Sequence, residues 1–119
     1  LKNKPQLVEA LELLQYEVKE DQELRVTGNH GINHETVEAE VAIAQDIGFR
    51  MNPMTGSYEL VTDLETWSQP IPVERFMDKV TQQYARMTLH NTAKDMGFEV
   101  AEEWEMDDGS IELVVNRWI

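Results

Sequence analysis

From Asp46 to Trp118 the chain reads without a break as two strands, one long helix and a closing hairpin, and that succession restricts the fold more than any other feature. Ile47, Phe49 and Met51 form one side of a strand, and the turn from Asn52 to Ser57, with Pro53 and Gly56, returns the chain into Tyr58 to Thr62. Just upstream, Val37, Ala39, Val41 and Ile43 alternate with Glu38, Glu40 and Ala42, the pattern of an antiparallel strand with one wet face. A meander of these strands follows. Glu65 to Ile71 is a linker, and Pro72 opens a helix over 72–96, about seven turns and roughly 37 Å long. Gly97 is placed to end it. Val73, Phe76, Met77, Val80, Tyr84 and Met87 recur at three- and four-residue steps and mark its core face. Asp108-Gly109 predicts a two-residue hairpin turn, which sets Met106 opposite Ile111, Glu105 opposite Glu112 and Trp104 opposite Leu113.

The N-terminal part is less regular. Pro5, Leu7, Val8, Leu11 and Leu14 predict a short amphipathic helix over 5–15 with Glu9 and Glu12 toward solvent. Tyr16 to Val18 and Leu24 to Val26 read as brief strands separated by the charged run Lys19, Glu20, Asp21, Gln22 and Glu23, and Thr27 to His34 reads as a loop. With 119 residues the chain is one domain, 1–119, around a single core. The expected architecture is α+β: a mostly antiparallel sheet packed on one face by a short N-terminal helix and the long helix, and closed by a C-terminal β-hairpin.

Charge and composition exclude several function classes. Asp and Glu number 23 against 10 Lys and Arg, a net charge of −13, which opposes binding to nucleic acid or to an anionic membrane surface. No cysteine is present, so disulfides, thiolate metal sites and cysteine nucleophiles are all excluded. No stretch approaches the roughly 18 apolar residues of a membrane helix, and no signal peptide opens the chain. A cytoplasmic or other intracellular protein is expected, one that begins at Leu1 and has room for an upstream segment.

Asp46-Ile-Gly-Phe49, Tyr58-Glu-Leu-Val61 with Asp63, Trp67, Val80-Thr-Gln82 with Tyr84-Ala85, Gly97-Phe98, Asp108-Gly-Ser-Ile111 and Arg117-Trp118 together carry a resemblance. In order and spacing they resemble the hypothetical chloroplast reading frame thirty-five family, small cyanobacterial and plastid proteins of unassigned activity with relatives in cyanobacterial phages. The resemblance covers about Leu7 to Trp118. It implies a host connected with oxygenic photosynthesis, so that the compartment would be cytoplasm, plastid stroma or an infected host's cytoplasm. It also implies a short strand upstream of residue 1, and it implies no catalytic residues. The family's arginine- and glycine-rich loop corresponds to Arg25 to Gly31, where this chain keeps Arg25, Gly28 and Gly31 but fewer positive charges.

No reaction is named by the residues themselves. His30, His34 and Glu35 lack the order and helical setting of a zinc protease signature, so no metal site and no cofactor is expected. Phosphate loops and nucleophile elbows are also missing. Carboxylates at Asp46, Glu59 and Asp63 are candidates for general acid and base work only if a cleft forms around them. Two surfaces suit a partner better. Arg75, Lys79, Arg86, His90 and Lys94 fall within roughly a 100° arc of the long helix, a basic strip that either pairs with the sheet's own glutamates or docks an acidic partner. Glu99, Glu103, Glu105 and Glu112 are expected to share one hairpin face with Trp118, where an aromatic beside charges has interface composition. The leading expectation is a non-enzymatic interaction or regulatory protein whose partner is another protein or a second copy in a homodimer. The alternative is a small-ligand protein or enzyme with a pocket near Asp46, Tyr58 and Trp67.

Overall fold

A computed structural model describes residues 1–27 and 34–117 of the chain. The elements run α1 (Lys4–Leu13), β1 (Lys19–Thr27), β2 (His34–Ala44), β3 (Ile47–Asn52), β4 (Ser57–Thr62), α2 (Val73–Asp95), β5 (Phe98–Glu105) and β6 (Ile111–Arg117). Strands β1-β2-β3-β4 form one antiparallel sheet in that order, and β5 and β6 form a separate antiparallel hairpin. The α+β class and the meander of β2, β3 and β4 are as the periodicity predicts.

One aromatic organises the core. Phe76 of α2 meets Phe49 of β3 at 6.3 Å between ring centres, Trp67 of the linker at 5.4 Å and Tyr16 at 5.5 Å, the last two edge-on. Around it Leu7 and Leu11 of α1, Val80 of α2, and Val41 and Ile47 of the sheet are fully or almost fully buried, so both helices cover the same sheet face. Each such side chain contributes about 1.5–3 kcal/mol of burial. Two further contacts fasten the chain's start to α2: the Tyr84 hydroxyl accepts from the Lys2 amide at 3.1 Å and the Asn3 amide at 2.9 Å. Asn3 Oδ1 in turn caps α1 by accepting from the Gln6 amide at 2.9 Å.

Three expectations are corrected. The charged run does not interrupt two short strands. Residues 19–27 are one strand, because the backbone pairing of Lys19 with Ala42 through Thr27 with His34 is indifferent to side chains that face water. Tyr16 to Val18 is instead a non-strand connection packed on the core. Pro72 stands at the N-cap rather than inside the helix, with φ −62° and ψ 158°, and its carbonyl accepts from the Phe76 amide at 2.9 Å.

The other face of the sheet is not left open everywhere. The β1–β2 ribbon curls so that the Arg25 amide donates to the Gln45 carbonyl at 2.9 Å, and Leu24 is buried with Ala39 and Ala42 against Val61. Where β2 bends away from β3, the Glu40 carboxylate accepts from the Met51 amide at 2.9 Å, in place of a ladder partner. Gly48 is what permits this curl: a Cβ there would lie 2.6 Å from the Val41 carbonyl oxygen and 2.9 Å from Leu24 Cδ1. Gly48→Ala is expected to lower stability by about 1–3 kcal/mol, the usual range for overpacking. Urea unfolding of the native chain and the variant checks this, and equal midpoints would contradict the packing described.

Candidate functional site

The long helix has two flanks with different duties. Phe76, Val80 and Met87 turn to the core, while the adjoining flank receives the hairpin. Gly97, at φ +80°, reverses the chain after Met96, so β5 and β6 run back along α2. At the far end the Gln82 side-chain amide donates to the Gly109 carbonyl at 2.9 Å and holds the hairpin tip to the helix.

The hairpin register differs from the expected one by a single residue. A two-residue turn of the expected type needs positive φ at both of its central residues. Here the glycine alone provides it, at φ +87°, and Asp108 stays at negative φ. The Met106 amide donates to the Ser110 carbonyl at 2.8 Å and the Gly109 amide to the Met106 carbonyl at 3.0 Å, which closes a longer loop with a left-handed glycine at its end. Asp108 Oδ1 fixes that loop by accepting from the Ser110 amide at 2.9 Å and hydroxyl at 2.6 Å. The pairs are therefore Glu105 with Ile111, Trp104 with Glu112 and Glu103 with Leu113.

A β-bulge at Ala101 shifts the ladder again, between Val100 and Glu102. The two shifts separate the acids expected on one face. Glu103 and Glu105 share a face with Ile111 and Leu113, toward α2, whereas Glu99, Glu102 and Glu112 lie on the other with Trp104 and Val114. Glu105 and Glu112 do not face each other. Trp118 lies outside the described residues.

The basic strip is divided among three environments. Arg86 and His90 converge on Glu103: Arg86 Nε and Nη2 both donate to its carboxylate, the latter at 3.0 Å, and His90 Nε2 lies 3.0 Å from Glu103 Oε2. The Arg86 hydrogen bonds hold the Glu103 carboxyl below the usual range against the opposing effect of burial, and His90 adds to the lowering. The same contact raises the Arg86 guanidinium. Arg75 and Lys79 stand apart on one wall of a groove of about 810 Å³, with Glu105, Asp107 and Asp108 on the other. Lys94 is exposed in the last turn of α2, where a cation complements the helix dipole.

The outward hairpin face is more apolar than composition suggests. Trp104 is 43% exposed, Val114 41% and Met106 39%, and Trp104 Nε1 donates to Glu112 Oε2 at 3.0 Å. Asp46, Tyr58 and Trp67 do not line the clefts along α2, the hairpin and the β1–β2 ribbon, and each has a polar group engaged within the fold. Asp46 Oδ2 accepts from the Thr66 hydroxyl, Trp67 Nε1 donates to the Ile71 carbonyl at 2.8 Å, and the Tyr58 amide donates to the Leu1 carbonyl at 2.7 Å. These are fold-holding contacts. His30 and the His34 side chain fall outside the described residues, and among those described no group of three or more His, Asp or Glu side chains gathers as a metal site.

Sequence reasoning placed the cations but missed Glu103 as the residue that joins them, because only the bulge and the docked hairpin bring it to α2. A part-exposed pair of this kind contributes about 1 kcal/mol or less. Its sign with pH follows from the lowered carboxyl: the contribution is complete above the ordinary glutamate value and is lost as pH falls through the lower folded one. Glu103→Gln is expected to be less stable than the native chain by about 1 kcal/mol near neutrality, a gap that closes as pH falls below the ordinary glutamate range and through the lowered folded value. Urea unfolding of both across pH measures it, and a gap that persists in acid would exclude the ion pair as its source.

Comparison with known proteins adds lineage. A family model described as "Protein of unknown function (DUF1257)" matches residues 10–114. A relative named "Uncharacterized protein ycf35" from Pyropia yezoensis is 40% identical over 85 residues, 68% of this chain and 65% of the relative. Relatives of the same name from Guillardia theta and Cyanophora paradoxa are 42% and 44% identical over 73 residues, 61% of this chain and 56% of each relative. The chain thus spans 56–65% of the length of these curated relatives. No solved structure matches it. With nearly its whole length matched by the family model, the chain belongs to DUF1257, a family of proteins of unknown function.

Proposed function

We propose that this is a small acidic, non-enzymatic interaction or regulatory protein of a photosynthetic system, cyanobacterial, plastid or cyanophage, and that hairpin β5–β6 is the surface it presents. The reading rests on one observation. Trp104, Met106 and Val114 are exposed on a two-stranded sheet whose opposite face is held to α2 by Arg86, His90 and Gln82. A rigidly backed aromatic with apolar neighbours and a glutamate rim has the composition of an interface centre. Arg86 and His90, occupied by Glu103, serve to orient this surface. Arg75, Lys79 and Lys94 are its supplementary charges. The relatives' name, read as a chloroplast reading frame, supports the photosynthetic setting and a stromal or cytoplasmic place of action.

A tagged chain recovered from a photosynthetic host, beside its Trp104→Ala variant, tests the reading. Protein captured by the native chain is expected to fall by at least about tenfold with the variant, as for an interface centre. Circular dichroism melting of both chains separates loss of docking from loss of fold. Equal capture by two folded chains would refute the hairpin as the presented surface.

A further inference from the structure

The two sheets have four outer strands, and three of them are protected against pairing with another chain. Along β1, Lys19, Glu20, Asp21, Glu23 and Arg25 are exposed charges, Asp21 breaks the extended backbone at φ +53°, and the Arg25 amide is already bonded to Gln45. On β4 the Tyr58 amide is taken by the Leu1 carbonyl. Strand β5 carries Glu99, Glu102, Glu103 and Glu105 together with the bulge at Ala101.

Strand β6 has none of these devices. Its residues 111–117 hold one acid, Glu112, and one base, Arg117, with no proline, lysine or bulge of their own. Val114 and Val115 are 41% and 37% exposed. The Met106 to Ser110 hydrogen bond fixes the alternation of the ladder, so the backbone groups of Leu113 and Val115 point away from β5. Among the described residues no contact occupies them.

Resting on the reading of the hairpin as the presented surface, we infer that β6 is the edge on which a second copy of this chain docks. The two β6 strands pair antiparallel about a two-fold axis at Val114 and join both hairpins in one four-stranded sheet. This register is self-complementary. Leu113 lies opposite Val115 of the second copy, Glu112 opposite the Asn116 amide, and Val114 opposite itself, with the outward amides of Leu113 and Val115 making the new ladder bonds. The equivalent β5 pairing would oppose glutamate to glutamate. On a molecule of net charge −13, the charge-balanced edge fits its own like, whereas a cationic partner would be drawn to the glutamate-bearing faces.

The symmetry supplies the test. Sedimentation of the full chain up to about 0.1 mM is expected to give twice the 13.8 kDa chain mass, with the dimer strengthened by added salt, which screens the like net charges. Val114→Glu and Val114→Lys each place a like charge against itself, and each alone should dimerise at least about a hundredfold more weakly. Mixed together, the two variants should associate again, which also shows that both are folded. Val115→Pro, whose lost amide serves no bond within the chain, should be monomeric with an unchanged far-ultraviolet spectrum. A native chain that stays monomeric, dimeric Val114 variants, or variants that fail to associate on mixing would each overturn the β6 dimer. Trp104 sits on the sheet face and not on this edge, so the Trp104→Ala capture experiment stands or falls separately.

Discussion

A two-stranded hairpin is marginal in water unless something backs it, and in this protein the backing is one flank of α2. The helix supplies it while its other flank completes the main core through Phe76 and Val80. The fold is therefore extended, 61 Å by 28 Å by 25 Å, with α2 as the element common to the sheet layer and the hairpin layer. The join to the hairpin is polar where the join to the sheet is apolar. Arg86, His90 and Gln82 fix orientation by hydrogen bonds, and Ile111 and Leu113 supply the part-buried apolar contact. Apolar burial carries most of the stability in such a layer, and the directional bonds decide which face of the hairpin is turned inward.

What could be read from sequence divides along the range of the interactions. Alternation in β2, β3 and β4 and the three-to-four-residue spacing of Phe76, Val80 and Met87 are local, and these elements lie where the periods put them. β1 was legible only in part, since its pairing is made by the backbone while its side chains are charged and exposed. The curl that buries Leu24 over Gly48 has no local signature, because a glycine in a strand marks a close approach without naming what approaches. The candidate site follows the same division. The basic strip was visible as an arc on α2, but the acid that claims Arg86 and His90 comes from a separate strand brought close by the return of the chain at Gly97.

The net charge of −13 acts unevenly over this frame. Glutamates protect β5 and the outward faces from indiscriminate pairing, and the Glu103 carboxylate, held by Arg86 and His90, is kept ionised chiefly by the Arg86 hydrogen bonds. Arg75 and Lys79 face Glu105, Asp107 and Asp108 across an open groove, so their attraction is weakened by solvent. On the hairpin, glutamates lie beside the exposed apolar positions Trp104, Met106, Val114 and Val115.

Those positions are set by the hairpin turn. A side chain in a strand belongs to one face or the other, so a slip of one residue exchanges the partners of every pair. Had Asp108-Gly109 closed a two-residue turn, Trp104 would share a face with Leu113 and Glu105 with Glu112. The longer loop, held by Asp108 and ended by left-handed Gly109, instead places Glu103 with Ile111 and Leu113 toward α2 and turns Trp104 outward beside Glu112. The conformation of Gly109 therefore determines which β6 residues lie with Glu103 on the face toward α2 and which lie beside Trp104 on the face toward solvent.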